Sequence, residues 1–186
     1  GFLVVFLLLR SVTLTLQLPA YVRRFRAERT QREGRAAMLE ALTAYFEGRY
    51  AAAEQAAQRA IALGEQPVLN TVLAARAAHA LREFPQRDAY LAQPGGRKPG
   101  EDTMRLLAKA EFELEQHQPQ SALATLQELK KGTGRKHVGT MTLELKAQQQ
   151  AHNWDAVLEL VGRLERRDAI PSARAQKIRQ YAWTQK

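Results

Sequence analysis

Four histidines, His79, His117, His137 and His152, have the widest chemical range of any side chains in this sequence, and no two stand at metal-ligand spacing. An HExxH or HxxxH run would put two imidazoles on one helix face for zinc, and CxxCH would attach haem covalently. Neither occurs, and the chain has no cysteine, which also excludes a disulfide framework and a thiol nucleophile. Glu111 and Glu115 lie four apart, but lack the acid–base partner that general catalysis needs, so they read as a solvated face. "GTGRK" (132–136) is too short to cradle a phosphate and lacks the Ser or Thr after its lysine. No nucleophile and base are spaced to act together. The expectation is therefore not an enzyme: no catalytic residue, no metal and no obligatory cofactor. His79 matters for another reason, because Arg76 lies three residues before it on the same helical face and the two read as part of a binding wall.

Such a wall needs helices to hold it, and the composition supplies them. The 186 residues are 45% hydrophobic and 25% charged, rich in alanine, leucine, glutamine, glutamate and arginine, which points to an all-α protein. In "EGRYAAAEQAAQRAIALGEQP" (47–67), Ala53, Ala57 and Ala60 recur at helical spacing, a small-residue stripe suited to a helix pressed closely between neighbours. The pattern recurs. From Tyr50 a step of 34 residues reaches Phe84, the next lands on Gln118–Pro119, and the next on Trp154, each opening a helical stretch. A helix–turn–helix unit of this period resembles the tetratricopeptide repeat.

The resemblance covers 34–168, about four degenerate repeats. Ala41, Gly48, Tyr50, Ala53 and Ala60 fit its packing positions in the first unit, and Ala75, Ala78 and Phe84 in the second. Ala110, Ala122, Leu126 and Leu129 fit in the third, and Trp154 in the fourth. Three departures stand out: Arg87 where a small residue is expected, Pro119 in place of the aromatic, and Leu145 in place of a small residue. Residues 92–100 and 130–137 read as polar loops, and 169–186 as the start of a further helix. The implied fold is an antiparallel helix-pair solenoid whose first helices line a groove. Register places Leu42, Tyr45, Phe46, Arg76, His79, Leu107, Glu111, Leu114, Lys146 and Gln149 along that groove, where such arrays hold extended peptides or partner helices.

The formal charge is +9, and +5 of it lies in residues 1–35, which hold seven arginines against Glu28 and Glu33. Arg23, Arg24, Arg26, Arg29 and Arg32 follow an apolar run, "FLVVFLLLRSVTLTLQLPAYV". A signal peptide would carry its charge before the apolar run. An interfacial helix would present Leu14, Leu18, Tyr21, Val22 and Phe25 on one side. The reading adopted is a truncated transmembrane helix continuing into an amphipathic, Arg-rich flank over residues 1–33. Anionic lipid then balances the arginines, rather than nucleic acid, and the positive flank puts the repeats in the cytoplasm.

The order "FLVVFLLLR…LPAYVRRFRAER", then "ALTAYFEGRYAAAEQAA", then "EQPVLNTVLAARAAHAL" resembles the HemY family of proteobacterial inner-membrane proteins. The resemblance implies two N-terminal spans, a cytoplasmic repeat domain and an association with late haem biosynthesis. The flavin-dependent oxidase that shares the name is a different protein, and no GxGxxG turn is present here. The function expected on this basis is a membrane-anchored scaffold that binds partner proteins, late haem-biosynthetic enzymes among them. Two alternatives stay open: a direct haem or porphyrin carrier, and an envelope assembly scaffold unrelated to haem.

Overall fold

The computed structural model describes the backbone of residues 2–93, 101–133 and 137–185, and the side chains of 24–93, 102–131 and 137–185. Among the described residues there are nine helices and no strand. They fall into two units, 1–82 and 83–186.

The first unit holds α1 (Phe2–Phe46), α2 (Tyr50–Ala62) and α3 (Pro67–Ala80). The helix α1 passes unbroken through residues 33 and 34, where the sequence suggested that a juxtamembrane segment gives way to the first repeat. Glycine disfavours a helix by about 1 kcal/mol, yet Gly34 is kept because space demands it. A Cβ there would stand 2.9 Å from Glu65 Cβ and 3.4 Å from Leu63 Cβ, so the turn after α2 lies directly on the α1 backbone. Asn70 fastens the same turn, its Nδ2 donating to the carbonyls of Glu65 (2.7 Å) and Gln66 (3.3 Å). Pro67 opens α3, where its missing N–H costs nothing. The "EQPVLN" run is thus a helix-to-helix corner seated on Gly34.

The core of this unit is built from small side chains. Ala53, Ala56, Ala57 and Ala60 form the buried stripe of α2, and Ala44 of α1, Ala53 of α2 and Ala77 of α3 meet in one cluster. Three helices meeting through methyl groups can approach more closely than leucine would allow. Ala41 and Ala75 are also buried.

The second unit holds α4 (Phe84–Ala92), α5 (Glu101–Glu115), α6 (Pro119–Thr133), α7 (Val138–Gln150), α8 (Trp154–Glu165) and α9 (Ser172–Thr184). From α5 onward each helix packs on the next, and α5 also touches α7. The shared helix α7 serves two cores. Leu143 and Ala147 close onto Leu106, Ala110, Leu114, Ala122, Leu126 and Leu129, while Met141 and Leu145 join Val157, Leu160, Val161, Leu164 and Ile170. Leu145, where a small residue was expected, is accommodated within this second cluster.

Tyr50, Phe84, Pro119 and Trp154 are the first residues of α2, α4, α6 and α8. A left-handed residue precedes each by two positions: Gly48, Arg82, His117 and His152, with φ of +77°, +62°, +56° and +57°. At three of these corners the cross-bonded helix end is complete. Arg49 N–H donates to Ala44 O (2.8 Å), Gln118 N–H to Glu113 O (2.8 Å) and Asn153 N–H to Gln148 O (2.9 Å). Two of the four histidines therefore occupy backbone-determined turn positions. Arg82 is exposed in a conformation that suits glycine. Arg82→Gly should raise stability by about 0.5–1 kcal/mol and Gly48→Ala should lower it by at least as much; urea denaturation of both variants checks this.

Two loop expectations change. Residues 130–133 belong to α6, because Leu129 is buried and Lys130 reaches Glu144 of α7 at 2.5 Å, carrying the helix past the expected break. Residues 134–136 and 94–100 lie outside the described residues. The further helix expected over 169–186 is α9.

Among the described residues no helix is long and apolar enough to cross a membrane. The side chains of the apolar run on which that expectation rests, and of Arg23, lie outside them. Arg24, Arg26, Arg29 and Arg32 are exposed on α1, as is Phe25 at 62%. Arg29 pairs with Glu33 at 2.8 Å and Arg32 with Glu28 at 3.7 Å, one turn apart in each case.

Candidate partner-binding cleft

Within the second unit, α5 and α7 touch, and a cleft of about 630 Å³ runs between them. From α5 it is lined by Glu111, Leu114 and Glu115, which recur at helical spacing on one face. Leu143, Lys146, Gln149 and Gln150 supply the α7 wall, and His117 stands at the end where α5 turns. Gln150 Nε2 donates to Leu114 O at 3.1 Å and ties the C-terminal ends of the two helices together.

Two carboxylates, one ammonium and two carboxamides over a floor of two leucines make a mixed surface. Carboxamides can donate to and accept from a peptide backbone, leucines can receive an apolar side chain, and the charges can select register. Among the described residues, no three His, Asp or Glu side chains are grouped to hold a metal ion.

Of the residues placed along the groove by register, Glu111, Leu114, Lys146 and Gln149 line this cleft together. Leu107, half-buried against the α5–α6–α7 core, does not line the cleft, whereas Leu114 belongs to that core and lines the cleft as well. The other five lie in the first unit. Leu42 is half-buried on α1. Tyr45 packs against the alanine cluster and meets Phe46 and Tyr50 edge-on, with ring centroids 5.9 and 5.6 Å away. Phe46 is 83% exposed, and Arg76 and His79 are half-buried on α3. Register alone missed Leu143, Gln150 and His117. The signal for His117 was present in the sequence, since it falls in step with Gly48 at the corner of each helix pair.

No curated protein and no solved structure matches the chain. Residues 1–82 match the family model described as HemY protein N-terminus, and that stretch coincides with the first structural unit. The alanine-cored α1–α2–α3 unit, with the "EQPVLN" corner seated on Gly34, is therefore the part of the chain that is similar to the N-terminal region of HemY proteins.

Proposed function

We propose that this chain is a scaffold of tetratricopeptide-type helix pairs that holds partner proteins in the α5–α7 cleft. The similarity of residues 1–82 to the HemY N-terminus supports a connection with haem biosynthesis, and on this reading its partners are late enzymes of that process. The observation that carries the proposal is the cleft itself, where two equivalent helices of successive pairs present carboxamide, charged and leucine side chains together. The recurrence of the left-handed corner at Gly48, Arg82, His117 and His152 supports the repeat. The exposed arginines of α1 support anchoring at an anionic inner-membrane surface, with the helix pairs on the cytoplasmic side. No cofactor and no catalytic step enter this reading.

A photo-cross-linking residue placed at Gln149 in the full-length protein, in cells, tests it. The expected result is cross-links to late haem-biosynthetic enzymes that are lost when Lys146 and Glu111 are both reversed in charge. Cross-links to unrelated envelope proteins would keep the cleft as a binding surface and remove haem biosynthesis from the function. No protein adduct from Gln149, with efficient adducts from an exposed position outside the cleft, would remove the cleft.

A further inference from the structure

A second cleft, of about 610 Å³, lies inside the second unit between α4 and α5. Ala53, Arg87, Ala122 and Val157 are equivalent positions, each three residues after the first residue of its helix. The alanines and the valine are fully buried, letting each helix close onto its partner. Arg87 is also buried, at 6% exposure, and its longer side chain reaches across to Phe112 of α5. Its guanidinium stands 5.0 Å from the Phe84 ring centroid and 5.5 Å from that of Phe112, and bonds Asp88 through Nε at 2.8 Å. Cation–ring contacts of this kind favour a desolvated guanidinium, so the side chain is fixed in place.

The cations lining the cleft, Arg87, Arg105 and Lys109, outnumber its two carboxylates, Asp88 and Glu113. Asp88 is engaged by Arg87, and Glu113 accepts from Thr125 Oγ1 at 2.8 Å. Arg105 and Lys109 lie one turn apart on α5 and both line the space. Arg105 donates through Nη1 to Leu91 O at 3.0 Å and through Nη2 to Asp102 at 3.3 Å, but its Nε is buried without a hydrogen-bond partner. Lys109 has no ion pair among the described residues. A buried donor on a charged group is costly to leave unpaired, and an anionic oxygen is the partner that satisfies it best.

We propose that the α4–α5 cleft binds a small organic anion, with an apolar body against Phe84, Leu91 and Phe112 and a carboxylate or phosphate head on Arg105 and Lys109. The volume lies within the range of small-molecule sites. The site is separate from the α5–α7 cleft, and neither assignment depends on the other.

Calorimetric titration of the full chain with 2-naphthoate, 1-naphthyl phosphate and the neutral 2-naphthalenemethanol tests the proposal. At least one anion should bind about tenfold more tightly than the alcohol, and whichever binds better identifies the head group. Lys109→Gln, at a half-buried position, should remove most of that difference without moving the thermal midpoint. Arg105→Gln should act in the same direction. Equal affinity for the alcohol, no binding of either anion, or full anion preference in Lys109→Gln would each overturn it.

Discussion

Leu164→Ala should cost about 2–5 kcal/mol, a large fraction of the stability of an ordinary domain. Leu164 is among the largest fully buried side chains and sits in the cluster that joins α7, α8 and α9. Truncation removes the transfer free energy of its methyl groups and leaves a cavity. Val157, Leu160 and Val161 of the same helix and Ile170 of the turn that follows it can relax into that cavity only in part. The backbone is spared, because the bonds that turn the chain after α8 run to the carbonyl of Leu164, which receives the N–H groups of Arg167 and Ala169 at 3.2 and 3.0 Å. Leu39→Ala, at an exposed position on α1, is the control and should stay within about 0.5 kcal/mol of the parent. Guanidinium denaturation followed by circular dichroism reads both. An unchanged midpoint for Leu164→Ala would mean that α8 and α9 share no such core.

Ala53→Leu is the complementary experiment, in the unit built from small residues. Ala53 meets Ala44 and Ala77 where α1, α2 and α3 come together, and all three are fully buried. Three additional carbons have no space at that point, so the leucine must force the helices apart or leave its rotamer wells. Overpacking of this kind costs about 1–3 kcal/mol, and the extra apolar burial cannot offset it when the helices separate. The effect should be specific to the stripe. Leucine at Ala51, exposed on the same helix, should be nearly neutral, since the two residues differ little in helix propensity. Hydrogen exchange across α1–α3 distinguishes the two outcomes: Ala53→Leu should raise exchange in all three helices, and Ala51→Leu in none. Equal protection in both would mean that the stripe tolerates volume and that its alanines do not set the spacing.

The helical periodicity and the 34-residue step are properties of side-chain order, so much of the helix pattern could be read before any coordinates. Tyr50, Phe84, Pro119 and Trp154 each begin a helix two residues after a left-handed corner, and proline suits that first position because its missing N–H has no partner to lose there. The course of α1 through Gly34 was not legible. A glycine flanked by charge resembles a boundary, and only the 2.9 Å approach of Glu65 explains why glycine stands inside the helix. The division between Arg82 and Glu83 was hidden for a similar reason, because the Leu81–Glu83 corner looks like every other corner in the series. Arg87 was recognisable as a departure from the repeat, but its consequence depends on Phe112, twenty-five residues away on another helix. In the cleft, register named Glu111, Leu114, Lys146 and Gln149. It could not say which of the leucines near the α5–α6–α7 core reach the cleft: Leu114 does and Leu107 does not.

The unbroken course of α1 through Gly34 fixes an angle as well as a distance. A helix advances about 1.5 Å and rotates about 100° with each residue. The basic stretch and the seat of the α2–α3 corner are therefore locked in rotational phase about one axis. A flexible linker would transmit only reach; this segment also transmits orientation, in the manner of a spindle. One residue inserted just before Gly34 would leave composition, charge and the helix pairs as they are, yet turn the arginines by more than a quarter of a circle relative to the rest of the unit.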